Sequence, residues 1–192
     1  MWDYEPPAEK TPHRLIFTSV PDRGLGIVAE TFPRIKEQVP DASLVITSDY
    51  RLWGAISPTN DRYIQMFMRM KDVEFLGAVP RERLVQEQLK AQIHYYPCLY
   101  EELFCIAVAE SMVAGVLPIT TPMGALQTTN MGVIIDGNPN EQVTRQRFVQ
   151  TTIEYLHSHN LSSIREDLKN RARERFLLEA IMKQWDEKVF NV

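Results

Sequence analysis

The sequence predicts an α/β domain built on one doubly wound, mostly parallel sheet, and three observations carry that prediction. Short runs of β-branched and aromatic residues alternate with amphipathic helical patterns from residue 14 onward. Each run leaves through a turn rich in Gly, Pro, Asp or Ser. No internal repeat, low-complexity tract or heptad array interrupts the alternation. Strands separated by helices pair in parallel through crossovers, with helices covering the sheet faces. At 192 residues and 44% hydrophobic content, the chain can bury one good-sized core.

Residues 1–13 hold three of the twelve prolines and alternate charge with aromatics, as in a linker or arm; the domain proper is expected over 14–192. Arg14-Leu15-Ile16-Phe17-Thr18-Ser19-Val20 reads as the first strand, and Pro21-Asp22-Arg23-Gly24 breaks it before an amphipathic helix from about Leu25 to Val39. In a parallel sheet that turn lies at a strand's carboxyl end, where open α/β folds collect ligands, and the next helix offers unpaired N–H groups to an anion. Ser43 to Thr47 is a second strand, Ser48 to Gly54 an irregular connection, and a helix follows from about Asn60 to Met70. Val73 to Leu76 is a third strand with the exit turn Gly77-Ala78-Val79-Pro80, and Glu82 to Gln92 a third helix. Ile93-His94-Tyr95-Tyr96-Pro97 supplies a fourth strand, Val116 to Thr120 a fifth and Gly132 to Ile135 a sixth; Thr120 to Ala125 is a strand-exit loop. Glu141 to His157 is a helix, and Leu161 to Phe190 a charged, broken one, with Asn160 and Leu161-Ser162-Ser163 as stop and new cap.

Between the fourth and fifth strands lies the most informative stretch. From Phe104 to Ala114 nearly every residue is apolar, and a helix apolar all round is normally buried. Glu110 sits inside it. A buried carboxylate finds a partner, changes protonation or meets a ligand.

Composition narrows the function classes. The formal charge of −4, from 21 Lys plus Arg against 25 Asp plus Glu, gives no footprint for wrapping nucleic acid. No apolar run is long enough to cross a bilayer, and Met1-Trp2-Asp3-Tyr4-Glu5-Pro6-Pro7 lacks the basic and apolar parts of a signal peptide, so a cytoplasmic location is the default. Cys98 and Cys105 have six residues between them and no nearby His pair, and read as buried or semi-buried free thiols rather than zinc ligands. None of His13, His94, His157 and His159 has a motif-placed Ser or Cys partner, so no hydrolase triad is expected.

Glu102 and Glu110, set in Glu-Leu-Phe-Cys-Ile-Ala-Val-Ala-Glu and followed by Ser111-Met112-Val113-Ala114-Gly115, resemble the paired glutamates and Ala/Gly tail of family 4-like retaining glycosyltransferases. The resemblance, to the carboxyl-terminal half of a GT-B fold, extends from Arg14 to Trp185. It implies a Rossmann-like domain that binds a nucleotide-sugar donor, UDP-, GDP- or ADP-linked, with no cofactor and no required metal. It further implies that Glu102 contacts hydroxyls of the donor sugar, that Glu110 contacts the ribose, and that the Phe104-Cys105-Ile106 backbone faces the diphosphate. Arg23, with Gly24, matches a family cation that grips the diphosphate, and Glu102 and Arg23 carry the catalytic roles. Ser19 and the Val79 turn complete the donor site, with Leu84 as an apolar platform for the base and Met123-Gly124-Ala125-Leu126 beside the sugar phosphate. Trp185 resembles a residue of the family's final helix, with core or domain-contact packing as its role.

The sequence also departs from the family. Thr18 stands where an Arg is frequent, so either the Ser19 and Thr18 hydroxyls with the helix N-terminus suffice, with Arg51 as a replacement cation, or diphosphate binding is weak. Plainer readings stand beside these roles: a solvated loop charge for Glu102, a carboxylate satisfied by an Arg or the backbone for Glu110, and surface turn residues for Arg23 and Arg51. An amino-terminal half would bind the acceptor, a sugar, lipid or protein, and is missing from these residues, so the domain alone is expected to be inactive. Peripheral membrane attachment would come through the rest of the enzyme. The alternatives are a non-catalytic nucleotide-sugar module, a GT-B phosphorylase or epimerase, or a structural interaction domain.

Overall fold

The computed structural model describes residues 9–54 and 58–190. Six strands, β1 (Arg14–Thr18), β2 (Ser43–Thr47), β3 (Val73–Phe75), β4 (Ile93–Tyr96), β5 (Leu117–Thr120) and β6 (Val133–Ile134), form one sheet in the order β3-β2-β1-β4-β5-β6. Every neighbouring pair is parallel. The connecting helices are α1 (Leu25–Gln38), α2 (Pro58–Met68), α3 (Arg81–Lys90), α4 (Ile106–Val113) and the short α5 (Leu126–Thr129). After β6 come α6 (Gln142–Leu156), α7 (Leu161–Phe176) and α8 (Leu178–Trp185).

Central strands buried on both faces need apolar side chains at successive positions, and β1, β2 and β4 supply them. Leu15, Phe17, Leu44, Ile46 and Tyr95 point into the larger core, and Ile16 and Val45 into a smaller one with Ala91 and Val116. Helix α1 packs against α6, and α4 against α7. The chain runs outward from β1 through β2 to β3, then crosses back to β4 and continues through β5 to β6. The carboxyl ends of β1 and β4 are therefore the point where the winding reverses, the place where a crevice opens in such sheets.

Several boundaries differ from expectation. The first strand stops at Thr18 because Pro21-Asp22-Arg23 forms a 3-10 turn against Gly24. Helix α4 begins at Ile106, with Cys105 as a left-handed N-cap (φ 64°). It is not buried all round: Val108 to Val113 are buried, but Ile106 is 59% exposed, Phe104 41% and the preceding Leu103 98%. Apolarity alone cannot separate a helix's core end from an end that opens at a cleft mouth. The expected strand-exit loop after β5, Thr120 to Ala125, is followed by the short α5, which was not expected. The carboxyl-terminal helix breaks at Leu177, which is extended (ψ 151°), and Asn160 at the start of α7 makes no side-chain cap bond. Trp185 is 52% exposed against Phe190, so core packing is excluded for it.

Of the expected arm, residues 1–8 lie outside the described residues. The remainder is tied beneath the sheet: Lys10 Nζ donates to the Ala114 carbonyl at 2.8 Å, Thr11 N–H to the Lys90 carbonyl at 2.8 Å, and His13 N–H to Gln92 Oε1 at 3.0 Å. None of the helices among the described residues is long and apolar enough to cross a membrane.

Candidate functional site

The loops leaving β1, β2, β3 and β4 all open at the same sheet edge, and they bring together residues far apart in sequence. From β1, Ser19 Oγ lies 3.3 Å from the hydroxyl of Tyr96, the last residue of β4. The turn then folds back at Gly24, whose φ of 118° only glycine adopts readily; a Cβ there would overlap the Pro97 carbonyl. This close approach sets the β1 exit directly on the β4 exit.

The contact lets Arg23 reach Glu102. Arg23 Nη1 forms an ion pair with Glu102 Oε1, and Tyr96 donates its hydroxyl to the same oxygen at 2.6 Å. Cys98 Sγ is 3.8 Å from that oxygen. The hydrogen bond to Glu102 raises the Arg23 pKa further, so the guanidinium is permanently charged. Burial raises the Tyr96 phenol and Cys98 thiol and pushes the Cys105 thiol up to about 12, so all three stay neutral beside the carboxylate. Behind Glu102 the Met123-Gly124-Ala125 loop lies backbone to backbone: Ala125 N–H donates to the Glu102 carbonyl at 2.7 Å, and a Cβ at Gly124 would come within 2.5 Å of that oxygen.

Both expected thiols are free and buried. Next to them, α4 opens onto the same edge. The amides of Ile106 and Ala107 in its first turn cannot bond within the helix and remain available to an anion. One turn deeper, Glu110 is buried and accepts from Arg81 Nη2 at 2.5 Å, linking α4 to the start of α3. The misfit carboxylate thus has the arginine partner anticipated as its plainer reading. Glu102 is likewise buried rather than a solvated loop charge.

A cleft of about 140 Å³ is lined by Thr18, Ser19, Thr47, Leu52, Gly77, Ala78, Val79, Leu84 and Ala107. The expected base turn, the apolar Leu84 and the α4 start therefore share one space. Thr18 and Thr47 are register partners at the ends of β1 and β2, and their hydroxyls, with that of Ser48, are buried without a partner among the described residues. Buried hydroxyls are normally hydrogen-bonded, so orphaned ones at a cleft mark a place for a polar ligand. Asp49, beside them, is held below the usual carboxylate range by its bond to Arg51.

The sequence reading missed Tyr96, Arg81, Thr47, Ser48 and Asp49 as site residues. Asp49 had a local signal, an Asx cap two residues before a cation; the others depend on tertiary contacts. The structure also pairs His94 Nδ1 with Ser111 Oγ at 3.0 Å, a tertiary contact that no sequence motif announced. Both are fully buried, far from a nucleophile's need for access, and burial alone pushes His94 down to about 3.

The family described as glycosyl transferases group 1 matches residues 12–154. A phosphatidylinositol N-acetylglucosaminyltransferase subunit of Arabidopsis thaliana is 25% identical over 168 residues, covering 84% of this chain and 34% of its own length. Among solved structures, the GtfA/B complex superposes with a TM-score of 0.78 at 15% identity, covering 95% of this chain and 36% of that one. Anabaena HepE, solved in complex with UDP and glucose, gives 0.72 at 15% identity, covering 94% and 49%. The chain thus spans about a third to a half of the length of these relatives.

Proposed function

The chain belongs to the glycosyl transferases group 1 family, and on that premise we propose that it forms the nucleotide-sugar donor-binding domain of a glycosyltransferase. The observation that carries this reading is the cluster of Arg23, Tyr96 and Glu102 at the point where the sheet's winding reverses. The Arabidopsis relative belongs by name to an N-acetylglucosaminyltransferase, and HepE holds UDP and glucose, which supports a nucleotide-linked hexose as donor. The acceptor, a sugar, lipid or protein, is bound by an amino-terminal half of the GT-B fold, and transfer proceeds with retention.

The residues act as follows. Transfer breaks the bond between sugar C1 and the β-phosphate oxygen, and the electron pair leaves with the nucleoside diphosphate. Arg23 and the first-turn amides of Ile106 and Ala107 stabilise that charge, with no metal required; Gly24, Phe104 and Cys105 shape the backbone around it. The acceptor hydroxyl bonds to C1 and gives its proton to the departing phosphate. Glu102, fixed by Arg23 and Tyr96, accepts from hydroxyls of the sugar, and charged acceptors of this kind contribute roughly 1.5–3 kcal/mol each. Glu110 shares its carboxylate between Arg81 and the ribose. Ser19 and the Val79 backbone border the phosphate and base. The chain lies on the cytoplasmic side, soluble or held at a membrane through the rest of the enzyme.

Calorimetric titration with UDP, GDP, ADP and their sugars tests the reading. Binding of one nucleotide, weakened by Glu110→Ala and with sugar preference altered by Glu102→Ala, is the expected result. Binding of a nucleotide sugar without transfer by the chain joined to its acceptor half would instead identify a non-catalytic module.

A further inference from the structure

A second charged feature stands on the β2 exit, beside Gly77 of the cleft. Asp49 is 1% exposed and caps the 3-10 turn Tyr50–Trp53. Its Oδ1 accepts the Arg51 N–H at 2.8 Å, and its Oδ2 accepts Arg51 Nε at 2.8 Å and Nη2 at 2.5 Å. The Ala78 N–H also bonds to Asp49. Arg51 is thus fixed by a fork although its side chain is 66% exposed. The Asp49–Ala78 bond joins the β2 and β3 exits, whereas the Arg51 pair spans only two residues, and an exposed partner contributes little stability while losing rotamer freedom. What the fork does achieve is aim. Arg51 Nη2 lies 3.8 Å from the position a Gly77 Cβ would take, and Gly77 lines the cleft beside Ala78, Leu52 and Leu84. A group made only of donors is held at the rim of an apolar slot.

We propose that Arg51, oriented by Asp49, donates to an exocyclic carbonyl of the nucleobase, so that the site selects uracil or guanine nucleoside diphosphates over the adenine nucleotide. This inference rests on the donor-site reading above. Leu52 and Leu84 offer the apolar surface a base needs, and the Gly77–Val79 turn brings backbone close to it. Uracil and guanine present carbonyl acceptors to the guanidinium. Adenine presents an exocyclic amino group, and a donor facing a donor leaves both unpaired, which is how a polar site rejects a near-isostere. Arg23 sits on the β1 exit with Glu102 as its partner and Arg51 on the β2 exit with Asp49, so the two cations have separable effects.

The test is titration of the chain and its variants with UDP, GDP and ADP. The wild type is expected to bind UDP or GDP at least about tenfold more tightly than ADP. Arg51→Ala should bring that ratio to within about twofold by weakening only the preferred nucleotide, with Arg51→Lys intermediate because it keeps the charge and loses the fork. Arg23→Ala should weaken all three together and keep the ratio. An equal loss for all three nucleotides in Arg51→Ala, or no change, overturns the inference while leaving the donor site standing. Failure of the wild type to bind any of the three overturns the donor-site reading, and this inference with it.

Discussion

Arg23 and Glu102 are joined by an ion pair across the exits of β1 and β4, although 79 residues separate them in the chain. The arginine is 29% exposed and the carboxylate 6%, so the pair closes the inner wall of the site with one partner facing the opening. Removing the cation leaves a buried carboxylate with Tyr96 as its remaining strong donor. Arg23→Ala should therefore lower stability by about 1–3 kcal/mol and weaken nucleotide-sugar binding, whereas Glu102→Gln should keep the fold and lose sugar preference. Urea denaturation checks the first effect and calorimetry the second. An Arg23→Ala variant that binds donor normally would remove Arg23 from the site.

The close approach of Gly24 to Pro97 makes a sharper structural prediction. Any side chain at Gly24 meets a backbone carbonyl, which cannot move aside as a flexible side chain could, and takes on a φ of 118°. Gly24→Ala should cost more than the roughly 1 kcal/mol by which glycine ordinarily differs from alanine. Gly54→Ala is the comparison, since its φ is also positive but nothing among the described residues lies within 4 Å of its Cβ position. A larger fall in the urea midpoint for Gly24→Ala than for Gly54→Ala is expected; equal falls would mean that φ alone, not the contact, decides.

The fold was legible because two periodicities were. The runs at β1, β2 and β4 are apolar at successive positions, the helices between them show one apolar face, and turn residues mark every join, so strand and helix order followed directly. Glu110 was legible as a misfit of type against surroundings. Its partner Arg81 was not, because an arginine at the first turn of a polar helix looks solvated until α3 and α4 are placed side by side. Tyr96 was hidden in the same way: in a buried strand a tyrosine reads as core, and only tertiary placement turns its hydroxyl to Glu102. The exposed Leu103, Phe104 and Ile106 misled for a related reason, since transfer energy ranks residues by apolarity and not by which end of a helix faces the cleft.

His94 gives the domain an acid-sensitive point. Burial holds its folded pKa at about 3, against 6.5 as the ordinary value. Above 6.5 both states are neutral and the contribution is fully present. As the pH falls from 6.5 towards 3, the unfolded chain binds a proton that the native state does not, and stability drops by up to about 1.4 kcal/mol per unit. His94→Gln should flatten this slope, whatever its effect on stability at neutral pH. Unfolding midpoints of both proteins at pH 7 and pH 4.5 decide it; parallel losses would clear His94 and assign acid sensitivity to the carboxylates.

Arg81 and Glu110 test whether the buried carboxylate is structural, functional or both. Glu110 is 4% exposed and Arg81 48%, so the pair lies between the surface and interior cases, and solvent screening reduces its net contribution. A double-mutant cycle of Arg81→Ala and Glu110→Gln should give a coupling of about 1–2 kcal/mol in urea unfolding. If Glu110 also holds the ribose, Glu110→Gln should weaken the bound nucleotide more than Arg81→Ala does, because the carboxylate is then the group that touches the ligand and the arginine positions it. Equal weakening by both would make the pair one positioning unit, and stability coupling with no change in binding would make Glu110 a purely structural charge.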